Sequence, residues 1–304
     1  MLTSRTVALS VSLTLAAGCG SSSGSSTVPL QSAGTPAQSS VARESVAVVA
    51  GNPPRTQYHE FQANCHVSRH AKDDPIVYPG RPGATHDHTF FGNTTTDASS
   101  TAQSLQAGAT NCEQSGDKSA YWTPTLFSQG KVVDPEEIIV YYKSGIDDYT
   151  AVRPFPRGLK LIAGDSKAVS PAEFTGEWSC GNTYHQKDFP AQCPSGSKLI
   201  ARLKAPSCWD GVNLDSPNHR DHMAYPVRGA CPQGHSVALP MLEFKVPYPV
   251  NGSDMRLALS SGGGYTFHED FINVWDDGAQ AALVAHCING GRQCDESGVD
   301  PHKP

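Results

Sequence analysis

Two imidazoles flank a carboxylate at His86, Asp87 and His88, and the run continues through Thr89, Phe90 and Phe91 to Gly92 and Asn93. In an extended chain alternate side chains face the same way, so His86 and His88 share one side while Asp87 takes the other. Further nitrogen donors stand at His219 and His222, three residues apart, and at His268 close to Asp270. His86, His88, His219 and His222 could together ligate one divalent ion of the zinc, copper or manganese kind, with His268 and Asp270 in reserve. The competing role for the same rings is a structural polar core in which they hydrogen-bond one another and nearby carboxylates. Ionisable groups are costly to bury without partners, so a gathering of five histidines and several aspartates points to a site rather than a scaffold.

The same clusters hold the parts for acid/base work on a glycan. Hydrolysis needs two carboxyl groups, and Asp87, Asp210, Asp215, Asp221 and Asp270 are the candidates. A β-eliminating lyase would instead use Tyr121, His86 or His219 to take a proton, and Arg220 or Asn273 to stabilise the charge that develops. His88, His222 and His268 complete the candidate catalytic set. Trp122 and Trp209 offer flat faces for a sugar ring, with Asp210, Asn213, Arg220 and Asn273 as polar contacts. A third reading is non-enzymatic: a glycan-binding or structural envelope lipoprotein whose polar cluster recognises hydroxyls.

These residues must be positioned by a mostly β scaffold. Residues 57–67, 85–91, 117–127 (second half), 137–143, 158–163, 198–203, 241–246 and 256–260 carry strand-like patterns, and 137–143 is a continuous β-branched and aromatic run. A short helix is expected from Thr96 or Asp97 to Leu105, and a second over 276–287. With 23 prolines and long connections, the prediction is a mainly β domain: a disulfide-stapled, jelly-roll-like β-sandwich with long loops and one or two short helices.

The first 18 residues read as a signal peptide whose apolar stretch is too short to span a bilayer. Leu15-Ala16-Ala17-Gly18 before Cys19 resembles a lipobox, so the chain is expected to be exported and lipid-anchored through Cys19 at the outer face of the bacterial cell membrane. Residues 19–55 form a Ser/Gly/Pro linker, 56–298 a single domain and 299–304 a tail. Eight cysteines remain after Cys19, an even number that suits disulfides in an exported chain. Spacing leaves their connectivity open; the expectation is sequential, Cys65 with Cys112, Cys180 with Cys193, Cys208 with Cys231 and Cys287 with Cys294. The net charge of −6 and the lack of a basic stripe argue against nucleic acid as a partner. A monomer acting on polysaccharide, touching the membrane only through its lipid, is the expected form, with at most one divalent metal ion as cofactor.

Several blocks in order resemble one family. They are Asp74-Pro75-Ile76-Val77, His86-x-His88-x-Phe90-Phe91-Gly92-Asn93, Lys118-Ser119-Ala120-Tyr121-Trp122, Cys208-Trp209-Asp210-Gly211, His219-Arg220-x-His222-Met223 and His268-x-Asp270-Phe271-Ile272-Asn273. The order is similar to that of the DUF1996 family of secreted bacterial and fungal proteins. Some fungal members are joined to carbohydrate-binding modules, which implies contact with cell-wall or biomass polysaccharide. This chain departs at Val274, where members usually carry glycine, and at Gly262 to Gly264, where an aspartate is common.

Overall fold

The computed structural model describes residues 59–301. The expected signal peptide, Cys19 and the linker to residue 55 lie outside the described residues, as do residues 302–304 of the tail. Among the described residues no helix is long and apolar enough to cross a membrane.

The fold is mainly β and rests on two large antiparallel sheets. The first runs, in spatial order, Glu60–Cys65, Ile138–Lys143, Met241–Tyr248, Leu199–Lys204, Glu177–Cys180 and Thr183–Gln186. The second runs Val67–Ala71, His88–Gly92, Ala120–Pro124, His268–Ile272 and Lys160–Gly164. Seven of the eight strand-like stretches seen in the sequence correspond to one or more strands of these sheets, with ends shifted by a few residues. The eighth, 256–260, gives Leu257–Leu259 in a small sheet with Leu126–Ser128 and Lys131–Val133.

Alternation along the strands explains how the sheets stack. Ile138, Val140 and Tyr142 turn inward from the six-stranded sheet, with Phe244 and Val246 beside them, and meet Phe91, Tyr121, Leu161 and Phe271 of the five-stranded sheet in one core. Shifted by one residue, Phe90, Trp122, Ile162 and Ile272 point to the opposite face of the five-stranded sheet. There they form a second cluster with Ile76 and Leu105. The five-stranded sheet is therefore covered on both faces, and all five residues of the His88–Gly92, Ala120–Pro124 and His268–Ile272 strands are buried.

The helices are short and capped. Thr101 accepts from the Ser104 amide and Ser104 caps back, so the cap of Ala102–Ala107 lies four or five residues later than the sequence pattern placed it. Asp276 caps Asp277–Leu283, which continues as a π turn over Val284–Ile288. Four disulfides pair neighbours in chain order: Cys65–Cys112, Cys180–Cys193, Cys208–Cys231 and Cys287–Cys294.

One polar chain crosses the inter-sheet core. Trp275 Nε1 donates to Tyr142 Oη (2.9 Å), the Tyr142 and Tyr121 hydroxyls are 2.6 Å apart, and Tyr121 Oη donates to Asp117 Oδ2 at 2.6 Å. Burial lifts the Asp117 carboxyl from 3.8 to about 6, against the opposing pull of hydrogen bonds from Tyr121 and Ser119. The folded chain thus binds this proton more tightly than the unfolded chain. Its contribution favours folding most below about pH 4 and weakens as pH rises to about 6, by roughly 3 kcal/mol. Denaturant unfolding of wild type and Asp117→Asn between those pH values is expected to show a steeper loss in wild type, by this amount, over whatever slope other buried carboxyls give to both; an equal slope in both would assign it to another group.

Candidate metal centre

Three of the predicted histidines meet on the outer face of the five-stranded sheet. His88 and His268 open strands that flank Ala120–Pro124, so their rings reach toward each other across the end of that strand. His86 comes from the loop just before the first of them, and the regular strand starts only at His88. The ring centroids are 4.3 Å apart for His86 and His88, 5.0 Å for His86 and His268, and 5.6 Å for His88 and His268. Their inner nitrogens converge: His268 Nε2 lies 3.3 Å from His86 Nε2 and 3.4 Å from His88 Nε2.

The outer nitrogens fix the tautomers. His88 Nδ1 is 2.9 Å from the Asp73 carbonyl and His268 Nδ1 is 2.9 Å from the Thr266 carbonyl. A carbonyl only accepts, so each Nδ1 carries its proton and each Nε2 presents a lone pair. Two lone pairs facing each other at 3.4 Å repel unless a cation lies between them. For metal–nitrogen bonds of about 2.0–2.1 Å in a tetrahedron, nitrogens stand about 3.3–3.4 Å apart, the spacing found here. Carbonyl-anchored Nδ1–H groups are also the usual outer support of metal-bound imidazole.

Burial keeps the rings neutral and thus able to ligate. It lowers His86, with Asp87 opposing, and lowers His88 far below its usual range, helped by the other two rings. For His268 burial is again the main cause, and its value falls to about 3.

Carboxyl groups sit close by. Asp270 Oδ2 is 3.7 Å from His268 Nε2, and it is buried without a hydrogen-bond partner among the described residues. Burial raises the Asp270 carboxyl well above its ordinary value, with Asp74 adding to the effect and Arg220 opposing it. Asp74 itself is raised by burial although its Oδ1 accepts from the Ile76 and Val77 amides at 2.9 and 2.8 Å. In the sequence Asp74 stood out only as the start of the Asp74-Pro75-Ile76-Val77 block, with no role at the site. Its Asp-Pro turn signal gave no sign that the Asp73 carbonyl would hold His88 or that Asp74 would lie beside Asp270. On the other face of the same strand Glu269 is fully buried, and neither of its carboxyl oxygens has a hydrogen-bond partner among the described residues.

The remaining predicted residues are dispersed. The expected four-histidine set is corrected, because His268 joins His86 and His88 whereas His222 and His219 do not. His222 is buried with Nε2 2.7 Å from the Lys160 carbonyl and Nδ1 3.0 Å from Ser216 Oγ, so both its nitrogens have protein partners. His219 Nδ1 is 2.8 Å from Asp215 Oδ1, and Arg220 Nη2 donates to the Gly164 carbonyl at 2.7 Å. Tyr121 points into the inter-sheet core, away from the triad. Trp122 is fully buried and stacks on Phe90 (centroids 5.6 Å), so no sugar reaches its face. Trp209 is half-buried and lines a separate cavity of about 430 Å³ with Arg153, Phe155 and Arg157. Asp210 accepts from the Val212 and Asn213 amides and from Asn213 Nδ2, shaping a turn. Asn273 donates to the Phe155 and Pro156 carbonyls and accepts from Gln280. Asp87 accepts from Thr125 Oγ1 at 2.7 Å, and Asp221 is exposed.

No curated protein and no solved structure matches the chain. The model of a domain of unknown function, DUF1996, matches residues 74–275, a span holding all three triad histidines together with Asp74 and Asp270. That match covers well over half of the sequence, and the chain belongs to the DUF1996 family.

Proposed function

We propose that His86, His88 and His268 hold one divalent transition-metal ion, zinc or copper, and that this centre acts on cell-wall or environmental polysaccharide outside the cell, where Cys19 tethers the chain. One observation carries the metal reading. The lone pairs of His88 and His268 face each other at 3.4 Å with both protons committed to carbonyls on the far side of the rings. Three neutral nitrogens suit zinc and copper better than the harder, oxygen-seeking ions. Three protein donors leave coordination positions open, as catalytic rather than structural sites do. When bound, such an ion supplies Lewis acidity or an activated water. The protein's part is to hold the His88 and His268 rings in place through the Asp73 and Thr266 carbonyls, with the Asp270 carboxyl beside them. The polysaccharide reading draws on the export signal and on the company that fungal members of the family keep.

Elemental analysis of the full chain, expressed in an oxidising compartment and refilled with zinc or copper, is expected to give about one ion per chain. A refilled protein that retains neither metal would sink the assignment. New reducing ends or unsaturated sugars released from a polysaccharide panel would establish an enzyme, whereas retention without release would make the chain a binder.

A further inference from the structure

Next to the triad is a cavity of about 200 Å³ lined by Ile162, Pro206, His219, Arg220, Met223 and Tyr225. Strand register ties it to the metal centre. Ile162 is the cross-strand partner of Asp270, and Gly164, whose carbonyl accepts from Arg220, is the partner of His268. Charges across the gap are felt on both sides: Arg220 acts on His268 and Asp270, and His219 acts on Asp74.

The cavity lining is mainly apolar, with His219, Arg220 and the Tyr225 hydroxyl as its polar groups, the last donating to the Lys204 carbonyl. Asp215 holds His219 through Nδ1 and is itself held by Lys160 Nζ at 3.1 Å. With its Nδ1 proton on Asp215, His219 presents a lone pair at Nε2, for which the described residues offer no hydrogen-bond partner. This Asp–His pairing is the arrangement that orients an imidazole as a proton acceptor. His219 also sits at φ 59°, an uncommon conformation for a residue with a side chain, so the loop bears some strain to place that ring. Arg220 is exposed and uses one Nη2 contact on Gly164. The rest of its guanidinium fork is shaped to receive a carboxylate.

We propose that this cavity seats one uronate ring of an acidic polysaccharide, with the sugar carboxylate on Arg220 and the adjacent C–H facing His219 Nε2. The inference rests on the preceding assignment of a polysaccharide to this face of the sheet. The volume suits a single ring, being smaller than pockets for drug-sized ligands. His219 takes the proton from the carbon next to the carboxylate (C5). The electron pair of that bond forms the C4=C5 double bond as the C4–O4 bond breaks, and the imidazolium returns its proton to the leaving oxygen. No oxidant, reductant or water is consumed.

The test offers oligogalacturonate, oligomannuronate and a glucuronate polymer to the wild-type chain, each beside its carboxyl-reduced neutral form. Calorimetry measures binding, and ultraviolet absorbance follows the unsaturated product. At least one acidic glycan is expected to bind while its neutral form does not. Arg220→Ala should weaken that binding about tenfold to a hundredfold. His219→Asn, chosen because asparagine tolerates the left-handed backbone, should keep binding within about threefold while cutting product formation at least about a hundredfold. Both variants should retain the wild-type metal content and melting temperature, which separates these effects from unfolding. Uptake of none of the three acidic glycans, equal uptake of a neutral form, or undiminished product from His219→Asn would overturn the proposal. Arg220-dependent binding in a protein that holds no metal would instead sink the metal centre and leave the uronate subsite standing.

Discussion

Replacing His268 by alanine is expected to abolish metal retention while leaving the apo protein folded. The side chain supplies one of three converging nitrogens, and its loss should lower metal affinity by more than the ten- to hundredfold typical of changes to supporting residues. At a metal concentration about 100 times the dissociation constant, binding stabilises the native state by about 2.7 kcal/mol. Wild type should gain that increment on adding metal and the variant should not. Without metal the variant should be destabilised less than an ordinary buried truncation, since it also removes lone-pair repulsion among the rings. His222→Ala is the matched control. Its two nitrogens have partners at the Lys160 carbonyl and Ser216, so truncation should cost about 1–3 kcal/mol and leave metal content intact. Paired metal analysis and denaturant unfolding of the two variants decide the matter; full metal in His268→Ala would remove the triad from consideration.

The second large effect concerns the cross-links. In the chain-entropy account a disulfide stabilises by restricting the unfolded chain, more so for longer loops. Cys65–Cys112 spans a sequence separation of 47, against 23 for Cys208–Cys231, 13 for Cys180–Cys193 and 7 for Cys287–Cys294. Removing the first by paired serine substitution should cost about 4 kcal/mol and the last closer to 2 kcal/mol. Cys65 is also fully buried, and the bridge closes against Gly92, where an added Cβ would lie 3.1 Å from Cys112 Sγ. Calorimetric melting of the four double-serine variants is expected to follow loop length. The largest loss at Cys287–Cys294 would show that native packing, and not loop closure, sets the order.

Much of the scaffold was legible because its strands obey the ordinary rules. Residues 138–143 and 241–248 carry the alternating apolar and aromatic side chains that a two-sheet core requires, and the even cysteine count left after Cys19 matched four disulfides. The central His268–Ile272 strand was not recognised. Its His-Glu-Asp start reads as a polar loop, yet all five residues are buried. The strand spends its outward positions on His268 and Asp270 where a plain scaffold would place valine or isoleucine. Two of the three triad rings were paired from sequence through i, i+2 alternation. The third was held only in reserve, because two strands 180 residues apart that meet on either side of a third leave no local trace. His219 and His222 stand three apart, a spacing that suggests shared ligation on a helix. They occupy a loop with no regular structure, and their rings diverge to separate partners.

The phase of the His268–Ile272 strand has a consequence for how such a centre could change over evolutionary time. His268 and Asp270 face outward and Glu269 faces inward, so three consecutive residues offer donors of two kinds on two sides of one ribbon. A strand has period two, and a slip of one position against its neighbours exchanges the faces. Insertion or deletion of a single residue in the turn at Gly264–Thr266, compensated beyond Ile272, would withdraw the imidazole and present the Glu269 carboxylate to His86 and His88. That converts an all-nitrogen donor set into two histidines and a carboxylate, the combination associated with non-haem iron. Two compensating indels would thus exchange one donor set for the other at the cost of turning Phe271 outward, and the latent ligand already lies in the chain, buried and without a hydrogen-bond partner among the described residues.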